Sequence, residues 1–190
     1  MKLAEITTKW QGCEKCELYK TRGEDKVCIG KGSANPELLV VIPKPIFNTP
    51  DAPTPYEPGS AEHEMFKQIT DKLKIDRQKI FMTTSVGCQP AKGDHISPKH
   101  TIACRPRIKD ICLALNPKAV MLLGPESMFS WTGTNVAEKK MGLVEEDSQR
   151  KVIWTWDFSR YITLKSNNQE QASKMAKELF QHWKQISELL

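Results

Sequence analysis

The sequence predicts an α/β fold of three layers, in which helices cover both faces of a central, mostly parallel, four-stranded sheet. Two observations support this prediction. Four short, almost continuous apolar stretches are bounded by turn-forming residues, which is typical of strands buried on both faces. Segments with apolar residues at helical spacing lie between them, and strands that alternate with helices favour a doubly wound architecture.

The four predicted strands are delimited by residues that interrupt regular structure. The first lies between Pro36 and Pro43, and Gly124 closes the third. The predicted strands cover residues 37–42, 79–84, 118–123 and 151–156.

Two predicted helices begin with a serine cap. Ser60 precedes a helical apolar pattern over residues 61–73, and Ser97 followed by Pro98 opens a second helix over residues 98–115. Pro106 falls inside the second helix and is expected to bend it.

The last predicted helix has the clearest apolar stripe, which runs from Ala172 to Leu189. The spacing of Ser166 and Gln169 predicts a capping box at its start. Before the first of the three helices, residues 43–58 form a proline-rich loop, and a loop of that length usually has a function or is mobile.

Length and composition favour one domain that stays in a reducing compartment. The chain has 190 residues, of which 39% are hydrophobic and 27% charged, so we expect a single domain over residues 1–190. No apolar run approaches the roughly 18 residues of a membrane span, and the first residues lack a secretory leader. We therefore expect a cytoplasmic protein without a membrane partner, in which disulfides are disfavoured.

The formal net charge of +5 is concentrated in the middle of the chain. Residues 61–110 carry 10 basic and 6 acidic side chains, whereas the segments on either side are nearly balanced. A basic surface of this kind can face a phosphate backbone, although many solvated helical faces have the same composition. The residues that carry this excess include Lys92, Lys99, Arg105, Arg107 and Lys109.

Four of the six cysteines have a spacing that suits a metal centre. Cys13 and Cys16 form a Cys-x-x-Cys pair, and Cys88 and Cys104 form a second pair fifteen residues apart. Four thiolates can hold either a zinc ion or a cubane cluster, and the spacing does not decide between them. The sequence context of the other two predicts small core or near-surface residues, Cys28 and Cys112.

The context of these cysteines resembles a known family. The segment 13–32, with its Cys-x-x-Cys-x-Leu start, resembles the opening of the iron–sulfur (family 4) uracil-DNA glycosylases. Three later segments, residues 88–90, 102–106 and 115–124, are similar to the family's second cysteine segment and the strand after it. The resemblance spans roughly residues 10–165. It implies a uracil-DNA glycosylase-like fold and a structural [4Fe-4S] cluster on Cys13, Cys16, Cys88 and Cys104.

The catalytic motifs of that family are altered here. Residues 42–46 read Ile-Pro-Lys-Pro-Ile where the family has Gly-Glu-Ala-Pro-Gly, so Pro43 offers no N–H. Thr84 replaces an asparagine that reads the uracil edge. Asp157 and Ser159 lie where the family has His-Pro-Ser, and Tyr56 lies near its uracil-stacking phenylalanine.

Three hypotheses about function follow. The resemblance together with the altered motifs predicts a divergent DNA-binding protein without uracil excision, an accessory module in DNA replication or repair. It would be similar to phage-type members associated with a DNA polymerase, in a bacterial or infected-host cytoplasm. The first alternative is an active glycosylase with another base specificity, in which Asp157 is catalytic and Tyr56, Thr84, Pro43 and Ser159 form the base pocket. The second alternative is a protein-interaction module that does not bind DNA and docks through residues 43–58. The predicted DNA-binding residues are Lys99, Arg105, Arg107, Arg160 and Tyr161.

Overall fold

The computed structural model describes residues 2–22, 27–45, 55–91, 94–134, 141–146 and 150–190. The helices in these ranges are α1 (Leu3–Gln11), α2 (Leu18–Arg22), α3 (Ala61–Lys72), α4 (Pro98–Leu115), α5 (Gly124–Thr132), α6 (Phe158–Asn167) and α7 (Gln169–Ser187). The strands are β1 (Lys31–Gly32), β2 (Leu38–Ile42), β3 (Ile80–Thr84), β4 (Ala119–Leu123), β5 (Gly142–Glu146) and β6 (Lys151–Thr155). Most of the proline-rich loop, at residues 46–54, and Lys92 lie outside the described ranges.

One mixed sheet forms the centre of the fold, with the strand order β1-β3-β2-β4-β6-β5. The four central strands pair in parallel, which confirms the predicted fold class. The two edge strands pair antiparallel and were not predicted. The strand β1 has only two residues, and its Gly32 has a φ of 138°, which glycine permits; a side chain there would also collide with the backbone of Ile80. Such a short segment has no hydrophobic alternation from which a strand could be predicted.

Helices cover both faces of this sheet, as its apolar composition requires. Along β2, Leu39 and Val41 point to a core built with α1, α4 and α5. Leu38, Val40 and Ile42 point to a second core built with α3, α6 and α7. All five residues of β2 are buried, and burial of an aliphatic side chain of this size contributes about 1.5–3 kcal/mol. The two cores therefore hold the parallel strands between two helical layers.

The observed starts of α3 and α4 are those predicted from the sequence, whereas the observed start of α7 is not. The Oγ of Ser60 accepts a hydrogen bond from the backbone N–H of His63 (3.1 Å), and Pro98 is the first residue of α4. The predicted capping box at residues 166–169 is wrong, because Ser166 lies inside α6. Asn168 caps α7 instead, and its Oδ1 accepts a hydrogen bond from the N–H of Gln171 (3.1 Å). Helices α6 and α7 are therefore separated only by Asn168, and α7 begins after this residue.

Helix α1, which precedes the sheet, is hydrogen-bonded to one carboxylate of α4. Asp110 Oδ2 accepts hydrogen bonds from Trp10 Nε1 (2.8 Å) and Lys9 Nζ (2.7 Å). These bonds and the burial of Ile6 hold α1 against α4. Within the described ranges, no helix combines the length and apolarity needed to cross a membrane.

Candidate functional site

A cavity of about 540 Å³ opens at the carboxyl ends of the parallel strands. Segments that follow all four of these strands line it, because parallel strands end at one edge of a sheet. We call it the Asp157 cavity. Its lining comprises Pro43 and Lys44 after β2, Asp94, His95 and Ile96 after β3, Pro125 and Glu126 after β4, Met141, and Trp154, Trp156, Asp157, Ser159 and Arg160 at the end of β6 and beyond.

Asp157 is the most unusual group in this cavity. It precedes the first turn of α6, and its Oδ2 accepts a hydrogen bond from the Ser159 hydroxyl. Its Oδ1 is shielded from solvent. Burial raises the pKa of Asp157 above its ordinary value, the Ser159 hydroxyl opposes this shift, the negative charge of Glu126 adds to it, and a hydrogen bond from the backbone N–H of Phe158 opposes it. The cavity therefore contains a carboxylate that is anchored at the start of α6.

Two tryptophans of the cavity wall are held by hydrogen bonds. Trp154 Nε1 donates to the carbonyl oxygen of Gly124 (3.1 Å), and Trp156 Nε1 donates to Glu178 Oε2 (2.6 Å). The guanidinium of Arg160 lies 5.5 Å from the centre of the Trp156 ring, within the range of a cation–π contact. The wall is thus aromatic and fixed, and a cation sits against one of its rings.

The structure brings together three of the five residues predicted for the catalytic position and the base pocket. Pro43, Asp157 and Ser159 line the Asp157 cavity, whereas Thr84 and Tyr56 do not. Thr84 is completely buried, and its Oγ1 donates a hydrogen bond to the carbonyl oxygen of Val86 (2.7 Å). Its hydroxyl is therefore used inside the fold and does not face a ligand.

Tyr56 lies in an aromatic cluster of the second core. Its ring centre is 6.1 Å from that of Phe158 and 6.5 Å from that of Phe66. Burial raises the pKa of Tyr56 well above its ordinary value, and the charge of Asp157 adds to the shift. Tyr56 lines a separate cavity of about 210 Å³ rather than the one that contains Asp157. The predicted stacking role would require a different position of this ring.

The predicted DNA-binding residues occupy very different environments. The prediction for Arg107 is wrong, because its side chain is fully buried and donates to the carbonyl oxygens of Cys28 (2.6 Å) and Thr84. Arg105 is half-buried and donates to the carbonyl oxygen of Trp131 from Nε (3.2 Å) and Nη2 (3.0 Å). A buried guanidinium that satisfies backbone carbonyls is not available to a phosphate.

The other three predicted DNA contacts are more accessible. Lys99 is exposed in the first turn of α4, and Arg160 is exposed at the Asp157 cavity. Tyr161 is half-buried and packs against the second core, facing α3 and α7. Lys44, which the sequence did not single out, is also exposed at the Asp157 cavity.

The four cysteines predicted as ligands are near one another. All four have free thiols; Cys88 and Cys104 are buried, and Cys13 and Cys16 pack beside them. Burial raises the pKa of Cys88 to about 11, with Cys104 and Cys16 as further causes and Arg22 opposing them. Burial likewise raises the pKa of Cys16, and the charges of Cys104 and Cys13 contribute.

These thiols would repel one another as thiolates, and a metal centre removes that repulsion by supplying positive charge. Over the described ranges, however, no three Cys, His, Asp or Glu side chains already converge as a bound metal ion requires. The donor set fits an iron–sulfur cluster in kind: four neighbouring thiols without disulfides.

Sequence reasoning missed several residues of the Asp157 cavity, among them Glu126, His95 and Trp154. Glu126 follows the end of β4 by three residues, and this position was the available signal. Residues just after parallel strands are the usual source of site residues in open α/β sheets. His95 carries no such signal, since it lies eleven residues after β3.

Comparison with known proteins identifies the family. A family model of the uracil DNA glycosylase superfamily matches residues 29–184. The chain belongs to this superfamily. It is similar to the type-4 uracil-DNA glycosylase of Saccharolobus solfataricus, with 25% identity over 161 residues that cover 84% of this chain and 70% of the relative. The corresponding enzyme of Sulfurisphaera tokodaii is 23% identical over 193 residues, which cover 98% of this chain and 84% of the relative.

Membership of the uracil DNA glycosylase superfamily agrees with the family resemblance noted in the sequence. The Asp157 cavity of this superfamily member lies between the segments that differ most from the expected motifs, residues 43–44 and 157–159. Two of the three altered motifs therefore meet at this cavity, whereas Thr84, which belongs to the third, lies outside it.

We expect the Asp157→Asn substitution to stabilise this superfamily member increasingly as the pH rises. Because the folded-state pKa is raised, the carboxyl favours folding below its ordinary pKa, and this contribution is lost as pH rises through the folded pKa. The neutral amide avoids that loss. The melting temperature of the variant relative to the unaltered protein should therefore rise as the pH increases above the ordinary pKa of an aspartate side chain.

The matched control for this measurement is Asp94→Asn, which changes an exposed carboxylate beside the same cavity. The pH dependence for Asp157→Asn should exceed that for this control. A pH-independent difference for Asp157→Asn would mean that Asp157 ionises as an ordinary surface carboxylate.

Proposed function

We propose that this chain is a divergent, [4Fe-4S]-containing DNA-binding protein that does not excise uracil and acts as an accessory module in DNA replication or repair. The observation that carries the proposal is the buried carboxylate of Asp157, which lies in the cavity at the carboxyl ends of the strands. A DNA polymerase or another replication protein is the proposed protein partner.

The chemistry of base excision argues against activity on uracil. Cleavage of the glycosidic bond leaves negative charge on the departing base, and an enzyme stabilises that charge with neutral or positive donors. Asp157 and Glu126 instead place two carboxylates in the cavity, and each adds repulsion. Pro43 has no N–H to offer. Loss of one donor typically lowers the rate about 100- to 1,000-fold, so the combined changes should abolish excision.

The cluster is proposed to rest on Cys13, Cys16, Cys88 and Cys104. It would supply structural rather than catalytic chemistry, because these residues join the N-terminal segment, the loop after β3 and helix α4. Helix α2, which follows Cys16, has only five residues and buries a single side chain, Leu18. Such a segment gains little stability from its own core, so metal ligation would supply part of the folding free energy.

DNA is the proposed nucleic-acid partner, and the exposed cations near the Asp157 cavity support it. Lys44 and Arg160 line the cavity, and Lys99 lies in the first turn of α4 after the Asp94–Ile96 lining segment. The net charge of +5 favours attraction to a phosphate backbone. Contacts of this kind depend on charge rather than on base sequence.

A second candidate function is excision of another base, and one observation favours it. Asp157 combines a raised pKa with a position in a well-formed cavity, and such groups are frequently catalytic. In that case Asp157 would act on the reacting atoms directly. The excision assay below separates the two candidates.

Protein purified without oxygen should be brown and contain about four iron atoms per chain, as four-thiolate cubane ligation requires. Cys88→Ser should lose the colour and lower the melting temperature, because metal binding is coupled to folding. Cys112→Ser is the matched control, since Cys112 is also a buried cysteine. It lies in α4 and does not belong to the proposed ligand set. A colourless protein with one zinc ion would contradict the cluster.

Duplex DNA should bind without sequence preference, and its affinity should fall steeply as salt concentration rises. Lys99→Glu and Arg160→Glu should each weaken binding equally for all sequences and reduce the salt slope by about one. Lys177→Glu, an exposed change on α7, should leave binding unaltered. Fluorescence anisotropy at several salt concentrations measures all three. Equal effects of the three substitutions would show that only net charge matters.

A uracil-containing oligonucleotide incubated with excess protein should remain intact after alkali treatment, since no abasic site forms. Asp157→Ala should behave the same way. Strand cleavage at uracil by the unaltered protein would contradict the proposed function. The second candidate would be established if the same assay on oligonucleotides with other bases gave strand cleavage that is lost in Asp157→Ala.

A further inference from the structure

A groove of about 400 Å³ lies between the helices that cover one face of the sheet. Its lining residues belong to α3, α6 and α7, and none of them lines the Asp157 cavity. The deepest side chains in it are Phe158 and Leu179, which are buried in the second core. We call it the α3–α7 groove.

The walls of the α3–α7 groove are apolar and only partly covered by the fold. The half-buried side chains that line it are Met65 and Ile69 on α3, Tyr161 on α6, and Ala176 and Phe180 on α7. Apolar surface in contact with water is unfavourable, and a contiguous patch marks an interaction site more often than scattered single residues do. A partner that covers these walls would therefore gain free energy from their burial.

The charge at the α3–α7 groove has one sign. Lys72 and Lys177 are exposed there, and no carboxylate belongs to the described lining. Lys72 Nζ lies 4.7 Å from the centre of the Phe180 ring, within the range of a cation–π contact, so a cation of α3 reaches across to α7. The groove therefore combines an apolar surface with a positive edge.

Carboxylates next to the lining residues of α3 and α7 do not neutralise these two lysines, because they have other partners. Their contacts are Asp71 with Arg77, Glu64 with Lys67, and Glu178 with Trp156 Nε1. Over the ranges that the structure describes, neither Lys72 nor Lys177 takes part in an ion pair. Both ammonium groups are thus available to the acidic side chains of a partner.

The secondary structure around the groove favours a helical occupant. Only helices contribute to the described lining, so no strand edge offers unpaired N–H and C=O groups to an extended peptide. A helix satisfies its own backbone hydrogen bonds and can pack its side chains between two other helices.

We propose that the α3–α7 groove is a docking site for an amphipathic helix of a partner protein, with acidic residues beside the apolar face of that helix. The apolar face would cover the half-buried walls, and the carboxylates would approach Lys72 and Lys177. Charge complementarity of this kind gives specificity and speeds association. The inference rests on the proposed function, since it assigns this groove to the protein partner proposed there.

Two fluorescent helical peptides of about 15 residues, about 22 Å long, test this inference. Both carry leucine at helical spacing on one face, and the positions beside that face are glutamate in one peptide and lysine in the other. Fluorescence anisotropy should show that the acidic peptide binds at least about tenfold more tightly than the basic one, and high salt should reduce this ratio. Equal affinities, or no binding of either peptide, would overturn the inference.

Substitutions connect the binding to the groove. Lys72→Glu and Lys177→Glu are exposed changes that should each weaken binding of the acidic peptide about threefold or more. Ile69→Ala removes part of the apolar wall and should weaken binding of both peptides.

The matched control for the lysine substitutions is Lys109→Glu, an exposed change on α4 in the opposite helical layer that alters the net charge by the same amount. It should weaken binding of the acidic peptide less than either groove substitution. An equal loss in all three lysine variants would show that net charge alone attracts the peptide, and the groove assignment would be wrong.

A second copy of this chain is the alternative occupant of the groove. Sedimentation equilibrium would then show a dimer that Ile69→Ala dissociates, and the assignment to an acidic helix would be wrong.

The two proposals fail in different ways. If the protein binds duplex DNA but neither peptide, the inference is wrong and the proposed DNA-binding function stands. If it selects the acidic peptide but does not bind DNA, the inference stands and the proposed DNA-binding function is wrong.

Discussion

Burial of both faces of the parallel strands is the constraint on which the rest of this structure depends. Every residue of β2, β3 and β4 is buried, so helices must cover the sheet on each side. Parallel pairing then requires each connection to cross back over the sheet, and all four central strands end at one edge. The Asp157 cavity exists because the segments that leave this edge cannot all pack against one another.

The same scaffold supports a site whose charge differs from that of a uracil-excising enzyme. Three residues predicted to contact a base or DNA are committed elsewhere: Thr84 bonds to Val86, Arg107 bonds to Cys28 and Thr84, and Tyr56 packs on Phe158. Asp157 and Glu126 place two carboxylates in the cavity. Hydrogen-bond acceptors in place of donors change which ligands a cavity can bind. They also change the sign of the charge that the cavity can stabilise in a transition state.

The N-terminal helix α1 buries few side chains, and polar contacts contribute to its attachment to the rest of the fold. Only Ile6 and Trp10 of α1 are buried, and Asp110 receives hydrogen bonds from Trp10 and Lys9. The neighbouring thiols of Cys13, Cys16, Cys88 and Cys104 lie where this segment meets α4. Side-chain bonds and, on our proposal, metal ligation contribute there what hydrophobic burial contributes in the sheet.

The amino-acid sequence by itself determined the four central strands, the helices α3 and α4, and the three-layer class. These features depend on local periodicity and on proline or serine at element ends, which are visible in a short window. The resemblance to the family's motifs also pointed to Pro43, Asp157 and Ser159, which line the Asp157 cavity. It missed β1, which is too short for a periodic pattern, and it placed the start of α7 before Asn168.

Only the tertiary structure decided which polar side chains face solvent. Arg107 is an ordinary basic residue in the sequence, yet carbonyl groups from Cys28 and Thr84, 79 and 23 positions away, surround its guanidinium. The environment of Asp157 likewise includes Glu126 from α5 and Glu62 from α3 as well as Ser159 from α6. The orientation and the charge state of a side chain are set by partners distant in the chain, and no local pattern encodes them.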